Sequence, residues 1–342
     1  MKAMLLRKVA DLRTNKVPLH LSDLPKPVPG RDEVLIRIHV CGVCHTELDE
    51  IEGRTLPPSF PVIPGHQAVG EIEVTGNRVT KFNAGDRVGV AWIFSACEKC
   101  EFCKKGYENL CDKFKATGRD VNGGYAEYMK APASFVHTIP KSINDEHAAP
   151  MLCAGAIGYR SLKLTGISNG DRLGLTGFGA SGHLVLKLCR YLYPDSEICV
   201  FARSAKQRNF AKKLGAAWTG KTEERPPEKL HAIIDTTPVW KPSVEALSQL
   251  KPAGRLVINA IRKEDFDIEY LLKLDYPKHL WMEKEIKSVA NVTRSDVSEF
   301  LELAARIPIE PEVRLYPLEK ANEALLELKQ GGGRGAKILM MR

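Results

Sequence analysis

The sequence lacks any long uninterrupted run of hydrophobic residues, although 44% of its 342 residues are hydrophobic. A helix that crosses a membrane needs about 18 or more consecutive apolar residues. The N-terminal segment Met1–Leu6 is followed at once by Arg7 and Lys8, which interrupt the apolar stretch that a secretory signal requires. We therefore expect a soluble, cytoplasmic protein without a membrane partner.

A strong charge of one sign is also missing. The 50 Lys and Arg residues exceed the 42 Asp and Glu residues by a net charge of only +8, and acids are interleaved with them. A nucleic-acid-binding surface typically combines a basic block with aromatic residues. Because the sequence contains no such block, we expect no nucleic-acid partner and place the small excess on a solvated surface.

Cysteines are few for a chain of this length. Their number is nine, which is too low, and odd, for a disulfide scaffold. Four of them lie within residues 97–111, and this clustering indicates a metal site. The length itself predicts about two domains, since about 150 residues form a typical domain.

The clustered cysteines, Cys97, Cys100, Cys103 and Cys111, have the spacing of a metal-binding loop. Two-residue spacers let successive sulfur atoms converge on one ion, and four thiolates complete a tetrahedral zinc shell with no open position. An iron–sulfur cluster and a disulfide pair are the alternatives, but Asp112 stands where the iron–sulfur pattern has proline. We expect a structural Zn²⁺ in this lobe.

The expected secondary structure changes near residue 150. Before it, short strands such as Val34–Val40 and Ala68–Val74, separated by Pro- and Gly-rich turns, predict an irregular, mostly-β region. After it, short apolar strands alternate with helices, as in Ile198–Phe201 followed by Lys206–Leu214. Such alternation is typical of a doubly wound parallel sheet. The predicted fold class is α/β, with a parallel Rossmann sheet beside an irregular mostly-β domain.

A glycine motif, Gly177-x-Gly179-x-x-Gly182, lies between the predicted strand Arg172–Thr176 and the predicted helix His183–Leu192. Glycines at these positions permit a tight turn and a close approach of the backbone to a pyrophosphate, which the helix N-terminus attracts. In this context the motif predicts a dinucleotide site.

The end of the next predicted strand bears on the choice between NAD(H) and NADP(H). An NAD(H) site has Asp or Glu there to bind the ribose 2′-hydroxyl. This chain has Ala202-Arg203-Ser204 instead, and a guanidinium is suited to a 2′-phosphate. We favour NADP(H), with Arg203 and Ser204 as cofactor-binding residues; a solvated surface arginine is the alternative. A later glycine-rich segment, residues 331–335, precedes a strand rather than a helix and predicts a turn.

Three more potential metal ligands, Cys44, His66 and Cys153, are dispersed along the chain. Taken singly, each has an ordinary explanation as a packed or loop residue. Together with the four-cysteine lobe and the glycine motif, in this order and spacing, they resemble the zinc-containing medium-chain alcohol dehydrogenases. The resemblance covers nearly the whole chain, and within the family it is to the cinnamyl-alcohol-dehydrogenase-like and bacterial alcohol dehydrogenase group.

The resemblance implies a second, catalytic Zn²⁺ bound by Cys44, His66 and Cys153. Two thiolates and a neutral imidazole neutralise the ion and leave one position open. The implied reaction is hydride transfer between a zinc-bound alcohol and NAD(P)⁺, so the partner is a small alcohol or aldehyde. Relatives are dimers or tetramers, and we expect a homo-oligomer.

The resemblance also implies Thr46, His45 and Asp49 as catalytic residues. Thr46 has the hydroxyl that takes the alcohol proton, and His45 lies where the family contacts the cofactor. Asp49 stands where many relatives have a histidine that relays the proton. A carboxylate also passes protons, but its ordinary pKa is about 4, so we expect a different alkaline limb of the pH–rate profile.

Other positions follow from the same resemblance. Glu47 stands for an aspartate of the family and is expected to orient His66. Gln67 replaces the Glu that follows the ligand histidine, which leaves the zinc more electrophilic. Trp92 matches an aromatic wall of the substrate pocket, with plain packing as the alternative. Arg294 matches an arginine near the cofactor.

On this resemblance, residues 1–154 and 292–342 form a GroES-like catalytic domain that includes the lobe 97–111, and residues 155–291 form the Rossmann domain. Two alternative functions stay open. A zinc-free quinone or enoyl reductase of the same superfamily does not need the three dispersed ligands. A zinc-binding redox sensor or interaction protein with a vestigial Rossmann fold binds metal without turnover.

Overall fold

This computed structural model describes residues 1–307, 309–331 and 335–341. They form two compact units: Met1–Cys153 with Val292–Arg342, and Ala154–Asn291. None of the helices among the described residues has the length and apolar character needed to cross a membrane. Residues 332–334 of the predicted glycine-rich turn lie outside the described residues.

The first unit begins with short strands connected by loops and short helices. Its strands here are β1 (Lys2–Leu6), β2 (Leu19–Asp23), β3 (Glu33–Val43), β4 (Ala68–Thr75), β5 (Arg87–Val90), β6 (Ile93–Ser95), β7 (Lys115–Ala116), β8 (Tyr128–Pro132) and β9 (Val136–Thr138). Its helices here are α1 (His45–Ile51), α2 (Glu101–Lys104) and α3 (Asp145–Pro150). A π-helical turn, Met151–Gly155, follows α3.

The second unit is a parallel sheet whose strands alternate with helices. Its strands are β10 (Leu173–Thr176), β11 (Ile198–Phe201), β12 (Trp218–Gly220), β13 (Leu230–Asp235), β14 (Leu250–Ile258) and β15 (Glu285–Ser288). Its helices are α4 (Ala156–Thr165), α5 (Ala180–Leu192), α6 (Ala205–Lys213), α7 (Trp240–Gln249) and α8 (Tyr276–His279). The apolar strands β10 and β11 are buried along their whole length, as expected for a sheet covered by helices on both faces.

The strand order of this sheet is β12-β11-β10-β13-β14-β15, and all neighbouring strands are parallel. Numbered within the unit, this is the order 3-2-1-4-5-6 of a doubly wound dinucleotide-binding sheet. The order reverses between β10 and β13, which places a crevice outside the carboxyl ends of these two strands. The predicted Rossmann sheet is therefore confirmed.

The C-terminal segment completes the first unit. It contributes α9 (Arg294–Arg306), β16 (Val313–Pro317), α10 (Ala321–Lys329) and β17 (Ala336–Met340). Strand β17 pairs antiparallel with β3, which gives a mixed sheet in the order β16-β17-β3-β4-β5-β9, with β8 also paired to β3. This irregular sheet confirms the mostly-β part of the predicted fold class.

Strand β3 positions the first functional residues. Its side chains Val34, Ile36 and Ile38 are buried in the core of the first unit, and its last residues, Cys41–Val43, are buried as well. Because the strand is fixed on both edges by β4 and β17, the start of α1, directly after it, is held at a defined place.

Candidate active site

The three dispersed ligands of the sequence lie together in the first unit. The Sγ atoms of Cys44 and Cys153 are 3.9 Å apart, and His66 Nε2 is 3.3 Å from Cys153 Sγ. All three ligand atoms lie within 4.8 Å of one another. A tetrahedral Zn²⁺ with Zn–S bonds of about 2.3 Å needs sulfur atoms about 3.8 Å apart, so this donor set fits the ion.

Cys44 is placed by the start of helix α1. Its backbone N–H donates to Glu47 Oε2 at 2.8 Å, and its Sγ accepts from the N–H of Thr46 at 3.5 Å. These reciprocal bonds form a capping box, with cysteine in the place that Ser or Thr usually takes. The same bonds that begin the helix therefore aim the thiol at the other ligands.

His66 is placed by a tight turn before β4. Gly65 has a φ of +101°, and a Cβ there would lie 2.4 Å from the ring of Tyr125, so only glycine fits. The Nδ1 atom of His66 lies 2.5 Å from Glu47 Oε1, and both side chains are buried. This contact leaves Nε2 to face the two cysteines, as a metal-binding histidine requires.

The close packing of these side chains shifts their pKa values in different directions. Hydrogen bonding from the Cys153 thiol, together with His66, lowers the pKa of Cys44 well below its ordinary value despite burial. Burial alone would lower the pKa of His66, but the carboxylate of Glu47 raises it well above the ordinary value. The hydrogen bond to Cys44, together with burial, raises the pKa of Cys153 well above its ordinary value. A metal ion binds neutral imidazole and thiolate, so its binding at this site would displace the protons that His66 and Cys153 otherwise hold.

Cys153 lies in the π-helical turn Met151–Gly155, between Pro150 at the end of α3 and the start of α4. π-Helical turns are rare and occur frequently at functional sites. The sequence analysis predicts only a change of secondary structure near residue 150 and does not identify the turn that presents this ligand. Helical periodicity gives no signal for a turn that contains one additional residue.

The expected catalytic residues have different surroundings. Thr46 is half-buried, with Oγ1 3.5 Å from Cys44 Sγ, and His45 is exposed at the first position of α1. Asp49 is buried, 5% exposed, and accepts from Arg54 Nε at 2.6 Å. Asp49 is therefore paired with a guanidinium in the structure, and the relay role expected for it stays a prediction.

The two remaining positions, Gln67 and Trp92, are both buried. The backbone carbonyl of Gln67 accepts from the N–H of Gly42 at 3.1 Å, which ties it to the end of β3. The ring of Trp92 lies 5.2 Å from that of Phe114, with the guanidinium of Arg119 5.7 Å above it. These contacts favour the packing alternative for Trp92. The sequence analysis does not predict that Arg119 contacts this ring.

The four-cysteine lobe also brings its thiols together. Cys97 Sγ lies 3.9 Å from Cys103 Sγ, and all four sulfur atoms are within 4.8 Å of one another. Backbone N–H groups, including that of Cys100, lower the pKa of Cys97 to about 6. Amide donors that stabilise a thiolate, together with this spacing, fit a tetrahedral zinc and leave no ligand for a substrate.

Arg294 belongs to this lobe in the structure. Its guanidinium pairs with Glu98 and Glu108, on either side of α2, and it lies over the ring of Phe135. The sequence expectation placed this residue near the cofactor. Its two ion pairs tie the start of α9 to the lobe, and the expected place near the cofactor stays a prediction.

The glycine motif has the geometry of a dinucleotide cradle in the second unit. Gly177 follows β10 with a φ of +79°, and Gly179 is the N-cap of α5, which has no side-chain cap. A Cβ on Gly182 would lie 3.0 Å from the carbonyl oxygen of Gly177, so the helix packs closely on the turn. The uncapped N-terminus of a long helix suits a pyrophosphate.

The residues expected to choose the cofactor follow β11. Ala202 is buried, Arg203 is exposed, and the Ser204 hydroxyl caps α6 by accepting from the N–H of Gln207 at 3.1 Å. Arg208 donates to the carbonyl oxygens of both Ala202 and Arg203 at 2.8 Å, which fixes the strand end. The structure therefore brings Arg203 to the edge where an adenosine ribose binds in this fold.

Sequence reasoning missed several buried polar residues. Both carboxylate oxygens of Glu50 and the hydroxyl of Tyr125 are buried without a hydrogen-bond partner among the described residues. Lys263 and Asp235 form a buried ion pair at 2.6 Å in the second unit. A Lys–Asp pair separated by 28 residues leaves no local pattern by which the sequence could have revealed it.

Comparison with known proteins bears on these two sites. Residues 30–141 match the family model of the alcohol dehydrogenase GroES-like domain. The Mycobacterium tuberculosis protein named "Probable alcohol dehydrogenase AdhA" is 39% identical over 346 residues, covering 100% of this chain and 97% of the relative. The Moraxella alcohol dehydrogenase (strain TAE123) is 33% identical and covers 97% of this chain and 98% of the relative.

A solved structure shows the same fold. The cinnamyl alcohol dehydrogenase SbCAD4 from Sorghum bicolor superposes with a TM-score of 0.85 at 25% identity, covering 99% of this chain and 97% of the other. These similarities point to the same family as the geometry of the metal ligands and the strand order of the dinucleotide-binding sheet. The chain belongs to the family of zinc-containing medium-chain alcohol dehydrogenases.

Proposed function

We propose that this protein is a zinc- and NADP(H)-dependent dehydrogenase that interconverts a small alcohol and its aldehyde, with two Zn²⁺ ions per chain. An NAD(P)-dependent alcohol oxidoreductase follows from its family. The observation that supports the zinc chemistry most directly is the convergence of Cys44, His66 and Cys153 in the first unit.

The proposed reaction divides between the two units. When bound, Zn²⁺ supplies a Lewis acid that makes an alcohol proton more acidic, and NADP⁺ supplies the hydride acceptor. We propose that two thiols and an imidazole of the chain bind the Zn²⁺ ion, and that the glycine turn after β10 binds the NADP⁺. The chain's own residues orient these groups and handle the proton.

Thr46 is the residue that we propose takes the alcohol proton. Its Oγ1 lies beside Cys44 Sγ, and the capping box of α1 fixes both residues. A hydroxyl both accepts and donates a proton, so it transfers the proton without carrying charge itself. His45, the exposed neighbour, is the group that we propose contacts the cofactor and passes the proton to solvent.

Glu47 and Gln67 support the ligands without touching substrate. The carboxylate of Glu47 holds Nδ1 of His66 and so determines which ring nitrogen faces the metal. Gln67 is a neutral amide beside the ligand histidine, so it adds no negative charge near the ion. We propose that the ion is therefore a stronger Lewis acid than one in a relative that has Glu at the position of Gln67.

The four-cysteine lobe, by contrast, is proposed to bind a structural Zn²⁺. Four thiolates fill the tetrahedral shell and leave no coordination position for a substrate. The backbone amides that donate to Cys97 stabilise its negative charge. The contribution of this ion is to hold residues 97–111 in one conformation. None of the nine cysteines, all of which the structure describes, forms a disulfide, which suits the reducing cytoplasm that we propose as its location.

The preference for NADP(H) is supported by Arg203. It is exposed directly after β11, where an NAD(H) site has an acid, and Arg208 holds the backbone that presents it. A substrate panel of primary, secondary and aromatic alcohols, run with both cofactors and followed at 340 nm, tests the function. We expect turnover with a lower KM for NADP⁺ than for NAD⁺. If none of the alcohols is oxidised, the proposal is contradicted.

We propose that two copies associate through strand β15. It is an edge strand of the parallel sheet, and all four of its residues, including Ile286, are exposed. Trp281 and Met282, shortly before it in the chain, add exposed apolar surface. An exposed sheet edge with adjoining apolar side chains is suited to pairing with a second copy. The oligomeric mass of Ile286→Lys, compared with wild type by light scattering, tests this; an unchanged mass would contradict it.

A further inference from the structure

A buried ion pair lies at the point of the parallel sheet where the strand order reverses. Strands β10 and β13 are neighbours there, and their last residues, Thr176 and Asp235, are register partners. In open α/β sheets a ligand binds in the crevice outside the carboxyl ends of the strands at this point. Asp235 therefore stands directly beneath the expected dinucleotide.

Asp235 is completely buried and surrounded by donors. Its Oδ1 accepts from Thr176 Oγ1 at 2.6 Å, from Thr237 N at 3.0 Å and from Thr237 Oγ1 at 2.7 Å. Its Oδ2 accepts from Lys263 Nζ at 2.6 Å and from the hydroxyl of Ser243. One carboxylate thus joins the ends of β10 and β13 to the start of α7.

Lys263 extends this network to the loop after β14. Besides Asp235, its Nζ donates to the carbonyl oxygens of Thr237 at 2.8 Å and Val239 at 3.1 Å. Its side chain is 8% exposed, so the charge is held in the interior. Because this buried ammonium also donates to two carbonyl oxygens of the segment 236–239, it holds that segment in one conformation. Removing either charge of the pair would leave the other buried and unmatched.

The constrained segment forms one wall of the glycine turn. Thr236 Oγ1 donates to the carbonyl oxygen of Thr176 at 3.0 Å. A Cβ on Gly177 would lie 2.7 Å from Thr236 Oγ1 and 3.1 Å from the Cγ2 of Thr237, so the two loops are in direct contact. A shift of the segment would therefore move the surface against which the dinucleotide lies.

The side of the crevice identifies which half of the cofactor is affected. Arg203 follows β11, on one side of β10, and marks the adenosine ribose. Asp235 and Lys263 lie on the other side, at β13 and after β14. We propose that Asp235 and Lys263 are positioning residues for the nicotinamide half of the dinucleotide. This inference rests on the proposed NADP(H)-binding function.

The test separates the two halves of the cofactor in the zinc-loaded, full-length protein. The variant Asp235→Asn/Lys263→Met removes both charges, because a single substitution would leave a buried charge unmatched. Dissociation constants are measured for NADPH and for 2′,5′-ADP, which carries the adenosine half alone. We expect the NADPH constant to rise about tenfold and the 2′,5′-ADP constant to change less than about twofold.

A matched control is Lys284→Met. Its Nζ also donates to two carbonyl oxygens, those of Leu247 and Lys278, in the same unit. It should leave both dissociation constants unchanged. If the double variant does not fold, Thr237→Val is measured instead, since it removes only the hydroxyl that donates to Asp235.

The outcomes are distinct from those that test the proposed function. If wild type binds neither NADPH nor 2′,5′-ADP, the NADP(H) proposal itself is wrong; if it binds NADH, then NADH and AMP replace the two probes. Equal weakening of both probes, or no weakening of either, in a folded variant would overturn the positioning role of Asp235 and Lys263.

Discussion

The backbone N–H and the guanidinium of Arg294 both donate to one oxygen, Oε1 of Glu108, at 2.7 and 3.1 Å. Glu108 is 3% exposed and lies within the four-cysteine lobe, whereas Arg294 begins α9 in the C-terminal segment. The guanidinium also donates to Glu98 at 2.6 Å. One arginine therefore fastens the lobe to a helix nearly two hundred residues away in sequence.

Arg294→Met should lower the free energy of unfolding by about 2–3 kcal/mol. The substitution leaves the carboxylate of Glu108 buried without its cation, and the partial exposure of Arg294 makes the loss smaller than for a fully buried pair. Urea unfolding of the zinc-loaded protein measures it. The control Arg314→Met breaks an exposed pair with Glu327 and should cost less than about 1 kcal/mol. Equal losses of unfolding free energy in Arg294→Met and Arg314→Met would contradict the stabilising role of Arg294 between the lobe and α9.

Cys103→Ser should lower the zinc content from about two ions per chain to about one, with a fall in melting temperature. The reason is that three thiolates do not close the tetrahedral shell, so the lobe loses the ion that orders it. Metal analysis and thermal unfolding measure the two effects. Wild-type zinc content and wild-type stability in this variant would contradict a structural zinc.

Arg203→Ala should raise the KM for NADP⁺ by about tenfold or more and change that for NAD⁺ little. A charge-assisted hydrogen bond to a 2′-phosphate contributes about 1.5–3 kcal/mol, and NAD⁺ has no such phosphate. Steady-state kinetics with both cofactors measure the ratio. Lys206→Ala, at an exposed position on the adjoining helix α6, is the control. Equal changes for both cofactors would show that Arg203 is a solvated surface residue.

His137 should make the protein less stable in mild acid. Burial, together with the nearby charges of Lys81 and Arg294, lowers the pKa of His137 to about 3 in the folded protein, from an ordinary value of 6.5. The unfolded chain therefore binds a proton that the folded chain does not. This stabilisation is fully present above about pH 6.5 and is lost as the pH falls towards 3.

The measurement is urea unfolding at pH 7.5 and 5.5. The share of His137 in the loss should be about 1 kcal/mol, seen as a flatter pH dependence in His137→Gln. Its contact with Ser298, at 3.0 Å through Nδ1, contributes at both pH values and does not alter the slope. A pH dependence identical to that of wild type would contradict the assignment.

The fold was predictable where burial leaves a local pattern. The strand Ile198–Phe201 matches β11 residue for residue, because a continuous apolar run flanked by turns has few other solutions. Strand β15, Glu285–Ser288, was not predicted because all of its residues are exposed and two carry charge. An edge strand of this kind is determined by its neighbour β14 rather than by its own residues.

The candidate site shows the same division. Cys44, His66 and Cys153 were identified because family spacing is a strong signal, and the structure brings them together. The surroundings were less predictable: the partner of Asp49 is Arg54, and the partner of Arg294 is Glu108. Such pairings depend on tertiary packing, and a motif that fixes a residue type does not fix what that residue contacts.

The zinc content and alcohol-dependent turnover of wild type and Cys44→Ser, measured together, test the central claim most directly. Wild type should hold about two Zn²⁺ ions per chain and reduce NADP⁺ with an alcohol, with absorbance rising at about 340 nm. Cys44→Ser should hold about one ion and lose turnover by at least about a thousandfold, while still binding NADPH. Turnover near the wild-type rate in Cys44→Ser, or a wild type that holds two ions without oxidising any alcohol, would contradict the account.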